Sequence, residues 1–257
     1  MRILLTGATG LVGQGVLREC LRADDVEHVG ALGRRPSRQA HPKLVDIVAP
    51  DFADLRAVES RLHPYDACLY CAGMLPLGVS EAEFRHVTLD LTLNVARTLA
   101  GHNPQLIFIY VSGAMSDPAS LVMPLRIKGE TERALAALPI RTVMLRPGGI
   151  QPVGDVHSPH ATREALYRLG GPLLGLGVAL APQLMTTTEH VGRAMLRCCG
   201  SRSHPPWWRT PTSTGSRREC RADPKMDAGS DALHRPLQIL HVVMKPSRTF
   251  DGTRIHA

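Results

Sequence analysis

A chain of 257 residues is long enough for one sizeable α/β domain, or for a domain with an appendage. Its 44% hydrophobic and 21% charged content is that of a soluble globular protein, and no apolar run reaches the about 18 residues of a membrane-spanning helix. The formal net charge of +7 suggests a nucleic-acid partner until it is divided. Residues 1–198 hold 20 Lys and Arg against 18 Asp and Glu, whereas residues 199–257 hold 10 against 5, so the excess sits mainly in the C-terminal stretch.

From the N-terminus, RILLT (2–6) reads as an apolar strand that runs into TGATGLVG, and LVGQGVLRECL (11–21) as a helix. The strand signal returns in VEHVGAL (26–32), KLVDIV (43–48), DACLYCA (66–72), QLIFIYVS (105–112) and RTVMLRP (141–147). Helical patterns lie between them in DLRAVESRL (54–62), SEAEFRHVTLDLTLNVARTLA (80–100) and LRIKGETERALAAL (125–138). Thr186-Thr-Thr-Glu189 reads as a capping box leading into a last helix, HVGRAMLRC (190–198). Near-continuous apolar strands alternating with helices predict an α/β fold, a doubly wound parallel sheet with helices on both faces. After Cys198 the chain is dense in Pro, Ser, Thr and Arg without sustained period, so the reading is a single domain over 1–198 and an irregular tail over 199–257.

That tail is expected to be disordered or frameshifted. With ordinary codons, WWRTPTSTG (207–215) read one base earlier becomes VVENADING, and no function is hung on Trp207, Trp208 or the arginines there. The six cysteines (Cys20, Cys68, Cys71, Cys198, Cys199, Cys220) follow no disulfide framework, which with the absence of a leader pattern predicts a cytoplasmic protein. Cys68 and Cys71 form C-x-x-C inside an apolar strand and read as buried thiols. His157 and His160 have no identifiable partner, so no metal site is expected.

The glycines of TGATGLVG carry the chemistry. Gly7, Gly10 and Gly13 sit at the first strand-to-helix turn of the alternation, where glycine lets the backbone approach a pyrophosphate and the helix start presents free amides to it. A P-loop needs Lys-Ser/Thr after its last glycine, and Gly15 is followed by Val16 and Leu17, so the turn reads as a dinucleotide site. NAD sites place an acid at the end of the second strand. Here that segment is ALGRRPS, with Arg34 and Arg35 and no acid, which favours NADP(H) over NAD(H).

On these motifs the chain resembles the short-chain dehydrogenase/reductase superfamily, in its atypical and extended branches. It looks most like the NAD(P)-binding epimerase-like proteins related to the Tat-interacting protein group. The resemblance covers about residues 1–198 and rests on TGATGLVG, Asp51-Phe52, CAG (71–73), VSG (111–113), RIKGETE (126–132) and RPGGIQP (146–152). It implies a Rossmann-type fold, with Gly7, Thr9, Gly10, Leu11, Val12 and Gly13 at the pyrophosphate and Arg34 at the adenosine phosphate. Asp51 and Phe52 would lie at the adenine, Ala72 and Gly73 beside the ribose, and Pro147 and Gly148 near the nicotinamide.

The superfamily's reductases use Ser, Tyr and Lys, with Tyr four residues before Lys. Ser112 and Lys128 match as catalytic residues, but the tyrosine position is Pro124, which has no proton to give and suits a helix start. Tyr110 reads as a core residue, Tyr167 belongs to a segment expected over the substrate, and Thr88 stands where many relatives place a proton-relay helper. The expectation is an NADP(H)-dependent oxidoreductase or epimerase-like enzyme for a small carbonyl or hydroxy substrate, with no nucleic-acid or membrane partner. The alternative is a catalytically weak NADP(H)-binding regulator that contacts a partner protein.

Overall fold

The computed structural model describes residues 1–151 and 185–200 and two later strands at 219–220 and 240–245. In chain order the elements are β1 (Arg2–Thr6), α1 (Leu11–Arg22), β2 (His28–Gly33), β3 (Leu44–Val48), a 3-10 turn (Arg56–Arg61) and β4 (Ala67–Tyr70). Then come α2 (Glu81–Arg85), a π turn (His86–Asp90), α3 (Leu91–His102), β5 (Ile107–Val111), α4 (Met123–Ala136) and β6 (Arg141–Pro147). They are followed by β7 (Gly149–Gln151), β8 (Met185–Thr187), α5 (Thr188–Cys198), β9 (Glu219–Cys220) and β10 (Leu240–Lys245).

The main sheet has the order β3-β2-β1-β4-β5-β6-β10-β9. Its first six strands pair in parallel. This is the Rossmann-type doubly wound arrangement expected from the apolar alternation, with its order reversing between β1 and β4. β10 lies antiparallel to β6, Leu240 opposite Pro147 and Lys245 opposite Thr142, and carries β9 at the sheet edge. These two strands were not legible in the sequence. Apart from Cys199 and Gly200, the rest of the 199–257 stretch, expected as a disordered or frameshifted tail, lies outside the described residues.

Strand alternation builds the two core layers. Ile3 and Leu5 of β1 and Ile109 of β5 face Val16, Leu17, Val191 and Met195 of α1 and α5. Leu4, Phe108 and Tyr110 face Leu93, Leu99, Ile127 and Leu135 of α3 and α4. The segment read as a helix over 54–62 is instead a short 3-10 turn, because only Leu55, Val58 and Leu62 reach the core and the Val58 and Leu62 amides bond back three residues. α2 begins at a Ser80–Glu83 capping box, and the π turn joins it to α3 without a break in the chain's helical path.

α5 starts one residue later than the capping-box reading placed it. Thr187, not Thr186, is the N-cap, and its Oγ1 accepts the His190 amide at 3.1 Å. Thr186 is 2% exposed within β8, and Glu189 reaches forward to Arg193 instead of back to the cap. Arg193 in turn donates to the buried Glu19 of α1 at 3.0 Å. The two helices pack at glycine: a β-carbon on Gly15 would stand 2.4 Å from Thr188 Cβ. Gly15→Val therefore forces α5 away from α1. It should lower stability by about 1–3 kcal/mol, measured as a shift in the urea midpoint at unchanged slope.

Candidate cofactor and active site

The turn after β1 is built by close backbone approach. Gly7 has φ +70°, and a β-carbon there would lie 2.7 Å from the Ala72 nitrogen and the Cys71 carbonyl. Thr6 Oγ1 accepts both the Cys71 and Ala72 amides at 3.1 Å, which ties the end of β1 to the end of β4. The Gly10 amide donates to the Gly7 carbonyl at 2.8 Å. A β-carbon on Gly13 would collide with that carbonyl at 1.9 Å, so the third glycine is dictated by the helix lying against the turn.

Gly10 is the N-cap of α1, with no side chain capping the helix and no acid in its first turn. By helix geometry the amides of Leu11, Val12 and Gly13 have no partner within the helix, and the positive end of the dipole sits with them. Such a terminus fits an anion. Thr9 is exposed beside it, its carbonyl held by Gln14 Nε2 at 2.9 Å.

The remaining expected cofactor residues follow the carboxyl ends of successive parallel strands, as ligand sites of open α/β sheets do. Arg34 and Arg35 come directly after β2, both exposed and with no ion pair among the described residues. Beyond β3, Asp51 is exposed and its Oδ1 accepts the Ala53 amide at 2.8 Å, while Phe52 is buried at 6% exposure. Asn94 of α3, which the sequence reading missed, pins this loop by donating to the Phe52 carbonyl at 2.7 Å. Its outer side opens into a cleft of about 280 Å³ lined by Ala53, Asp54, Arg56 and Thr98 among others. Past β4, Ala72 is half-buried and Gly73 lies open; Pro147 ends β6 with Gly148 next to it.

Ser112 follows β5, its amide donating to the Leu145 carbonyl at 2.8 Å. Lys128 Nζ donates to the Ser112 carbonyl at 3.0 Å, so the structure brings the two expected catalytic residues together. Burial holds the Lys128 ammonium below the ordinary lysine range, against the opposing pull of the Glu132 carboxylate. Glu132 itself is gripped by both the Nε and Nη2 groups of Arg146. That pair clamps α4 to β6 and was not anticipated, because nothing in the spacing of residues 132 and 146 announces it.

Pro124 sits in the first turn of α4, as a helix-start proline should. Tyr110 is 2% exposed in the core, its hydroxyl toward Thr131, and desolvation pushes its pKa far up. The core reading of Tyr110 holds. Thr88 is buried within the π turn, and its carbonyl accepts the Thr92 hydroxyl at 2.7 Å. Cys68 is buried and Cys71 half-buried, both free thiols whose pKa burial raises. Tyr167, His157 and His160 lie outside the described residues. Among the described residues no helix is long and apolar enough to cross a membrane.

The sequence profile of the NAD dependent epimerase/dehydratase family matches residues 3–132, just over half of the chain, and the chain belongs to that family. A mitochondrial protein, FMP52 of Kluyveromyces lactis, is 28% identical over 156 residues, covering 58% of this chain and 67% of that protein. The leucinostatins biosynthesis cluster protein T of Purpureocillium lilacinum is 27% identical over 141 residues, and this chain spans only 52% of its length. Among solved structures, the Bordetella bronchiseptica enzyme WbmH in complex with NAD+ superposes with a TM-score of 0.58 at 17% identity, over 77% of this chain and 72% of that one. At that identity the likeness is one of fold. The FMP52 relative's mitochondrial designation lends no support to the expected cytoplasmic location.

Lys128 carries a linkage that can be read without substrate. Its folded pKa is lowered, so between that value and the ordinary lysine value the unfolded chain binds more protons. Stability then rises with pH across that window, and below it the burial cost is fully present. Lys128→Met should unfold at the same or a higher urea concentration than wild type at pH 7, with any advantage shrinking toward pH 10.5. A loss above about 1 kcal/mol at pH 7 would contradict it.

Proposed function

We propose that the protein is an NADP(H)-dependent oxidoreductase of the atypical short-chain kind, acting on a small carbonyl or hydroxy substrate. The observation that carries this reading is the uncapped start of α1 at the glycine turn, on the same sheet edge as the Ser112–Lys128 contact. The residues present fit the dinucleotide: β-carbons at Gly7 and Gly13 would collide with backbone and force the turn open, and the first amides of α1 are left for an anion. Leu11, Val12 and Gly13 would hold the pyrophosphate, Asp51 and Phe52 the adenine end, and Ala72, Gly73 and Lys128 the ribose side. Arg34, with Arg35 beside it, would pair with a 2′-phosphate, and no acid at that strand end opposes it.

A bound nicotinamide supplies the hydride. Ser112 then hydrogen-bonds the substrate carbonyl and Lys128 fixes the ribose end, while Pro147 and Gly148 bound the site beside them. Pro124 contributes no proton, so the alkoxide formed by carbonyl reduction takes its proton from water. The reading calls for a small-molecule partner, not nucleic acid or a membrane.

NADPH should bind more than tenfold more tightly than NADH, the worth of one charge-assisted arginine–phosphate contact, and Arg34→Ala should erase the difference. Titration of protein with each dinucleotide by fluorescence decides it, and equal wild-type affinities would refute the NADP(H) assignment. Wild-type reduction of simple aldehydes should be slow at neutral pH. Pro124→Tyr should raise it by about 10²-fold, followed as NADPH oxidation at 340 nm, because it restores a hydroxyl four residues before Lys128.

A further inference from the structure

A second hydroxyl lies beside Ser112 that neither the motif nor the fold comparison assigns. Ser116 Oγ is 2.9 Å from Ser112 Oγ, and both serines are only 3% exposed. The Ser116 oxygen also accepts the Gly113 amide at 3.2 Å, and its own amide closes a turn onto the Gly113 carbonyl at 3.1 Å. The loop from β5 to α4 therefore folds back to present one serine hydroxyl to the other. Its far side is held in place too: the Asp117 amide donates to the Leu125 carbonyl, and a β-carbon on Gly129 would stand 2.2 Å from the Pro118 nitrogen.

Two hydroxyls bring two protons, and the contact between them uses one. Gly113 N–H already occupies one lone pair of Ser116 Oγ, and a hydroxyl that accepts a hydrogen bond becomes a better donor. Donation from Ser116 to Ser112 gives a chain that runs one way, from Gly113 N–H through Ser116 O–H to Ser112 Oγ. It leaves the Ser112 proton as the one with no acceptor among the described residues. Ser112 is then held in one rotamer by the bond it accepts from Ser116, with its own proton available to a carbonyl oxygen.

We infer that Ser116 is a positioning residue for the reduction proposed above: it donates to Ser112 Oγ and thereby directs the Ser112 proton to the substrate carbonyl. The inference rests on that reading of the site. Ser116 touches neither substrate nor cofactor, so its loss changes how well Ser112 meets the carbonyl and leaves dinucleotide binding alone.

The test uses the full chain with NADPH and a panel of aliphatic and aromatic aldehydes, comparing wild type, Ser116→Ala, Ser116→Thr and Ser112→Ala. Ser116→Ala should lower kcat about three- to tenfold, the loss expected for one hydrogen bond, with the NADPH dissociation constant unchanged. Ser112→Ala should cost more, Ser116→Ala should add little to it in the double variant, and Ser116→Thr should recover most of the rate. Thermal unfolding of each variant reports folding separately. Wild-type turnover that Ser116→Ala matches would overturn the assignment alone, as would a loss that Ser116→Thr fails to recover while remaining folded. Wild-type protein that binds NADPH and reduces no aldehyde would overturn the reading of the site and this assignment with it.

Discussion

The Gly7 carbonyl accepts the Gly10 amide at 2.8 Å and lies where any side chain on Gly13 would have to begin. α1 thus starts in direct contact with the end of β1, and its first amides point across the carboxyl edge of the sheet. Thr6, one residue earlier, holds the Cys71 and Ala72 amides, so the same turn also sets where the chain leaves β4. The switch point between β1 and β4, where the strand order reverses, is therefore framed by two segments tied together through the Thr6 hydroxyl. Arg34, Asp51, Ser112 and Pro147 take their places around it because parallel pairing brings the ends of β2, β3, β5 and β6 to the same edge.

The second half of the site depends on α4. Its first turn accommodates Pro124, its Gly129 lets the Asp117–Pro118 backbone close against it, and its Glu132 anchors it to Arg146 of β6. With α4 fixed at these points, Lys128 reaches the Ser112 carbonyl. Tyr70 and Tyr110 spend their hydroxyls in the core, on Thr92 and Thr131, and their rings meet at a tilt with centroids 6.1 Å apart. They pack; they do not serve the site.

Much of this was legible in the residues. Six apolar strands with helices between them leave little choice of architecture, and glycine at 7 and 13 after the first strand marks a tight turn that the structure requires because a β-carbon at either would strike backbone. Arg34 could be placed because the end of β2 is defined by the strand itself. What was not legible depends on partners distant in sequence. Glu132 and Arg146 meet only because α4 packs beside β6, and Asn94 finds the Phe52 carbonyl across 42 positions. β10 pairs with β6 from nearly 100 residues away, and no local period announces it. Ser116 is different: it is four residues from Ser112, but its hydroxyl matters only through a loop fold that Asp117 and Gly129 impose. The one-residue shift of the α5 cap has a similar cause, because Thr186 is taken up by pairing with Ile150 of β7.

A crystal structure of the NADPH complex tests the central claim most directly, because the account assigns the pyrophosphate to one place. It should lie at the start of α1, its oxygens about 2.9 Å from the Leu11, Val12 or Gly13 amides, with the 2′-phosphate against Arg34. A dinucleotide seated instead in the cleft beside Ala53, Asp54 and Arg56, with the start of α1 unchanged and free of it, would contradict the account.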